Sequence, residues 1–156
     1  MHPRFAEVAN SLHPAFERLM AMPPVQGGIP SIGMPERGVY LFSEGDQHLY
    51  IGRSNTLRKR YSGHCRPASP HGAAAFAFKL ARIKTGNSKP QYKQGAGTRA
   101  ELRKDPIFEA AFTAAKTRIG GMDYRFVEET DQVRQAVLEI YCAVVLGTPY
   151  NDFKTS

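Results

Sequence analysis

The sequence has no tryptophan and only two cysteines in 156 residues. Cys65 and Cys142 lie far apart and form no CxxC pair, which excludes a disulfide framework and predicts free thiols, no zinc site and a reducing, cytoplasmic compartment. No apolar run reaches the ~18–20 residues that a membrane span needs, so no membrane partner is expected. The opening MHPRFAEV lacks the apolar core of a signal peptide. Acidic residues are almost missing from the middle of the chain. From Arg53 to Lys104 there are 13 basic residues and a single acid, Glu101.

That shortage of acid is the strongest compositional signal. The whole chain carries 21 Lys+Arg against 14 Asp+Glu, net +7, but the residues outside 53–104 sum to −5. One third is cationic and the remainder mildly acidic. Such asymmetry suggests a polyanion partner, although a solvated basic face would show the same charge. The length predicts one domain over 1–156 with a sizeable core.

Periodicity and punctuation give the element order. Residues 4–21 repeat Phe5, Val8, Leu12, Phe16 and Leu19 at helical spacing, with Pro14 expected to kink or split the helix. Residues 22–38 carry four prolines and form a connector. Residues 38–53 read as a hairpin, GVYLF and HLYIG around the turn SEGDQ. TLRKRYSGH (56–64) reads as a short basic helix, 71–84 as a helix and 85–98 as a polar basic loop. Residues 100–119 read as a helix broken at Pro106 and ended by Gly120 and Gly121. Met122–Glu129 reads as a third strand. Thr130 or Asp131 caps a last helix over 132–146, which Gly147 and Pro149 stop. The prediction is an α/β (α+β) domain: a small three-stranded, mostly antiparallel sheet flanked by helices, with a basic helical insertion.

Several side chains carry chemistry. Glu139 is the one carboxylate in AVLEIYCAVVL (136–146), where burial would require a cation beside it, either a basic side chain or a metal. Taken by itself, it fits the exposed stripe of an ordinary helix better. Arg60 and His64 are four residues apart, on one helical face, and an Arg–His pair suits phosphate. Tyr40 and Tyr50 fall in adjacent strands. His2, His13 and His71 lack ligand spacing and are expected at the surface, with His48 facing solvent. Glu128 and Glu129 suit the positive end of the last helix.

Taken in order, Gly38-Val39-Tyr40, Tyr50-Ile51-Gly52, Arg60, His64, Glu139 and Asn151 resemble the GIY-YIG nuclease family. Tyr50 precedes Arg60 by ten residues and Glu139 precedes Asn151 by twelve, as the family pattern requires. His64 places the resemblance with the branch that carries His after the catalytic Arg, away from the excinuclease branch with Tyr there. Arg53 stands where excinuclease relatives commonly have Lys. The likeness covers 38–64 and 122–153. It leaves 1–37, an N-terminal helix and linker, and 65–121, the basic insertion, unexplained.

The resemblance implies a metal-dependent DNA endonuclease that hydrolyses phosphodiesters with Mg²⁺ (or Mn²⁺). It implies Glu139 as metal ligand and Tyr40 as general base, its pKa lowered by nearby cations. It further implies His64 as proton acceptor or relay, Arg60 as stabiliser of phosphorane charge, and Tyr50 as orienting water or phosphate. Gly52 is expected to let phosphate approach the backbone, and Asn151 to fix the helix end and neighbouring loops. Arg53, Arg58, Lys59, Arg66, Lys84, Lys89 and Lys93 are the expected DNA contacts, with 65–121 as the candidate for target recognition. The competing expectation is a catalytically inactive basic nucleic-acid-binding module. A purely structural basic protein would leave the two spacings unexplained.

Overall fold

The structure, a computed structural model, describes residues 1–87 and 98–153. Its elements are α1 (Pro3–Ala21), β1 (Gly38–Glu44), β2 (Gln47–Ser54), α2 (Leu57–Cys65), α3 (Ala75–Lys84), α4 (Arg99–Lys104), α5 (Pro106–Gly120), β3 (Asp123–Glu128) and α6 (Gln132–Leu146). The architecture is α+β, with one three-stranded antiparallel sheet in the order β2-β1-β3. The chain folds as two compact units, Met1–Lys59 with Met122–Ser156, and Arg60–Gly121. The helix α2 begins in the first and ends in the second. Among the described residues no helix is long and apolar enough to cross a membrane.

In the first unit β1 is the central strand and is buried on both faces. That is why its sequence reads as a continuous apolar run rather than an alternation. Val39 and Leu41 join Ile51 and Val127 on one face, packed with Leu12, Ala15 and Leu19 of α1 and Leu138, Cys142 and Ala143 of α6. The other face is aromatic: Phe42 and Tyr124 have ring centroids 4.9 Å apart, and Tyr40 lies 5.9 Å from Tyr124. Gly45, at φ +58°, supplies the left-handed turn between β1 and β2.

Helix α1 runs unbroken through Pro14, so the expected split does not occur. One face of the helix is held by the core, and the cost of the missing N–H is absorbed there. The connector is pinned by a bridge between Val25 and Tyr124, and by Arg58, which donates to the carbonyls of Pro30 (2.7 Å) and Ser31 (3.3 Å). Asp131, not Thr130, caps α6 through the Arg134 N–H (2.8 Å), and Gly147 ends it at φ +63°.

The second unit centres on α3 and α5. Phe78, Phe108 and Phe112 are buried together, Phe78 and Phe108 at 5.3 Å between centroids. The helix expected from residue 71 starts at Ala75, because residues 71–74 form turns after Pro70. The break at Pro106 is present, with Asp105 capping α5 through the Ile107 N–H (2.9 Å).

Candidate active site

The two glycine–tyrosine triplets lie on neighbouring strands. In the β1–β2 register Tyr40 is opposite Gly52, Leu41 opposite Ile51 and Phe42 opposite Tyr50. Opposed residues share a sheet face, so the Tyr40 side chain meets the position where Gly52 has none. A Cβ on Gly52 would overlap the Tyr40 hydroxyl and come within 2.9 Å of its Cε1. The space expected to admit phosphate to the backbone is therefore filled by the Tyr40 ring. Gly38 has a parallel reason: a Cβ there would overlap the Val127 carbonyl and lie 3.2 Å from the Glu128 Cα. The two glycines admit, respectively, a neighbouring side chain and a neighbouring strand. Tyr50 is half-buried, its ring centroid 6.4 Å from that of Tyr40.

Helix α6 packs on β2 and brings Glu139 to Arg53. Arg53 Nε donates to Glu139 Oε2 at 3.0 Å. The cation expected beside this carboxylate is, in this structure, a basic side chain. The side chains remain 45% and 21% exposed, so the pair contributes no more than about 1 kcal/mol.

Asn151 sits at the open edge of β2. Its Oδ1 accepts from the Ile51 N–H (2.9 Å) and its Nδ2 donates to the Ile51 carbonyl (2.8 Å). Tyr150 N–H adds a bond to the Leu49 carbonyl (3.3 Å). The amide thus ties the segment after α6 to the edge of β2, between Tyr50 and Gly52.

In the second unit Arg60 and His64 share one face of α2. His64 is fully buried, and burial, with the Arg60 charge as the smaller cause, lowers its pKa to about 3. Its imidazole is neutral throughout the physiological range, suited to hydrogen bonding and poorly suited to storing a proton. Burial also pushes the Cys65 thiol up to about 11, against a smaller opposing effect from Tyr61, so this cysteine is inert as a nucleophile.

Of the expected DNA contacts, Lys59, Arg66 and Lys84 are exposed. Arg53 is engaged with Glu139 and Arg58 with the connector. Lys89 and Lys93 lie outside the described residues. His71 departs from its expected surface position. It is buried among Phe78, Phe108 and Phe112, and its Nε2 pairs with Glu109 Oε1 at 2.5 Å. Lys116 is buried beside Phe112 and donates to the carbonyls of Pro67 (2.6 Å) and Ser69 (2.9 Å). His48 is half-buried against Ser43 (2.8 Å) rather than facing solvent.

The donor set bears on which metal could be held. Among the described residues no three His, Cys, Asp or Glu side chains converge. The carboxylate of Glu139 is a hard oxygen donor, and a sparse set of that kind fits Mg²⁺, which keeps several of its waters. The chain matches no family model, and neither curated proteins nor solved structures show a significant similarity to it.

Proposed function

We propose that the chain is a metal-dependent DNA endonuclease of the GIY-YIG kind, hydrolysing phosphodiester bonds. The observation that carries this reading is local: Tyr40 lies over Gly52, and Asn151 grips Ile51 in the same three-residue stretch of β2. Motif residues separated by about a hundred positions meet at one strand.

On this reading Glu139 holds the divalent ion. When bound, Mg²⁺ or Mn²⁺ supplies Lewis-acid stabilisation of the phosphate and of the leaving oxygen. Arg53, now on Glu139 Oε2, releases the carboxylate and is long enough to meet phosphate instead. Tyr40 Oη is the candidate to take the proton of the attacking water. Tyr50 orients water or phosphate. Arg60 offsets negative charge on the phosphorane. His64, neutral because its pKa lies well below physiological pH, orients a hydrogen-bond partner rather than keeping the proton.

One observation favours a second reading, a basic module that binds nucleic acid without cleaving it: Glu139 already has a counter-ion in Arg53. Plasmid incubated with Mg²⁺, with and without EDTA, separates the two. The endonuclease nicks only with metal. Glu139→Gln abolishes nicking while binding stays within about threefold of the parent. Cleavage at the parental rate in Glu139→Gln would remove the metal assignment. Binding without cleavage of supercoiled, branched or flapped DNA would leave only the module.

A further inference from the structure

The second unit holds twelve basic and three acidic residues, net +9, whereas the rest of the chain is net −2. Each of its three acids has a local role. Glu109 pairs with buried His71, Asp105 caps α5, and Glu101 lies 3.9 Å from Lys104, its neighbour one turn on. Among the described residues the unit's acids are thus engaged locally, and across the unit its cations outnumber its acids four to one. Concentrated like charge costs stability unless an anion covers it.

Part of that surface is ordered. Phe78, on α3, has the guanidinium carbon of Arg99 5.1 Å from its ring centroid and that of Arg82 at 5.2 Å. Arg82 comes from the next turn of α3, and Arg99 opens α4. Arg99 is exposed, so stacking on Phe78 orients its planar fork without withdrawing it from solvent. Arg103 follows Arg99 by four residues, on the same side of α4, and is also exposed. Leu102 is the buried residue of this short helix, and Arg99, three residues before it, lies on the flank that meets the Phe78 ring while remaining exposed. Two exposed guanidiniums one turn apart, one of them held by a ring, match neighbouring phosphates of a nucleic-acid backbone.

We propose that the exposed Arg99–Arg103 pair of the second unit, with Arg99 held against the buried Phe78 ring, is a phosphate-backbone contact for duplex DNA. The choice of DNA as polyanion rests on the endonuclease reading; the phosphate contact does not. These arginines lie outside the residues that the family likeness covers. Backbone phosphates carry no base identity, so this surface provides affinity and register and leaves sequence choice to other residues.

The test is binding of the full chain to a 30-base-pair duplex in EDTA, so that no cleavage intrudes, over a range of NaCl. The expected result is a linear fall of log affinity with log salt. Arg99→Gln with Arg103→Gln should flatten that slope by about 1.8, at ~0.9 per phosphate contact, equally for unrelated duplex sequences. Arg99→Lys keeps the charge but loses the stacked fork, so its slope should stay parental while affinity falls severalfold. Arg37→Gln, on the first unit, should leave the slope unchanged. A parental slope in the double variant overturns the proposal. So does tighter binding to an RNA duplex or to phosphatidylserine vesicles than to DNA. Failure of the nuclease reading shows separately: a chain that binds with the expected slopes but never nicks plasmid keeps this surface and loses that reading.

Discussion

At the residue scale the most consequential placement is that of His64. A histidine whose folded pKa is near 3 and whose unfolded pKa is near 6.5 binds fewer protons folded than unfolded. Its contribution to stability is intact above about pH 6.5 and is lost as pH falls from there toward about 3, at up to ~1.4 kcal/mol per pH unit. Urea midpoints between pH 7.5 and 4.5 should therefore fall more steeply for the parent than for His64→Gln, whatever the variant's stability at pH 7.5. Parallel pH dependences would show that the ring is not held neutral. The sequence shows His64 by its spacing from Arg60 but not its burial, because burial depends on residues brought over it by the fold. His71 makes the same point more sharply. Nothing near it in sequence announces that Phe78, Phe108 and Phe112 will enclose it, and Glu109 is 38 residues away. The Arg53–Glu139 pair spans 86 residues, so its carboxylate could be expected to have a cation but the partner could not be named.

At the element scale the sequence was far more legible. Strands β1, β2 and β3, and helices α1, α2, α5 and α6, fall within a few residues of their periodic patterns, because local punctuation by Gly, Pro and Asp sets their ends. The exceptions have tertiary causes. Residues 71–74 have helix-forming alanines, but His71 is drawn into the aromatic cluster and the chain turns instead. Pro14 breaks no helix because packing outweighs one lost hydrogen bond. The edge of β2 is the element on which the site depends. Asn151 satisfies both main-chain groups of Ile51, a buried residue between Tyr50 and Gly52. Asn151→Ala leaves both without their side-chain partner, at a cost of about 1–3 kcal/mol. Thermal melting should show that loss, and amide exchange should quicken at Ile51 while the β1–β3 pairing stays protected. Asn151→Asp keeps an acceptor for the Ile51 N–H but sets a carboxylate oxygen against the Ile51 carbonyl, and should be no better than alanine. A melting temperature unchanged in both variants would remove Asn151 from its place at the strand edge.

At the scale of the whole molecule the charge asymmetry of the sequence becomes a division between folded units, net −2 in one and net +9 in the other. The two should respond differently to salt. The Debye length falls from about 30 Å at 0.01 M to about 10 Å at 0.1 M, so that rise in NaCl screens most long-range repulsion between exposed charges. In the second unit the cations Arg66, Lys84, Arg99 and Arg103 are exposed and the three acids are engaged locally, so repulsion opposes folding and screening relieves it. In the first unit the two signs are nearly balanced, and screening weakens attractions such as Glu7–Arg134 about as much as repulsions. Hydrogen exchange in EDTA, from 0.01 to 0.1 M NaCl, should show protection rising severalfold on α3 and α5 and staying nearly constant on β1 and β3. Saturating duplex DNA at 0.01 M salt should protect α3 and α5 further than salt does, because a ligand that binds only the folded state adds its binding free energy to stability. Equal changes in both units would mean that the charge division has no energetic consequence. Protection by salt but not by DNA would leave the cationic unit without the partner assigned to it.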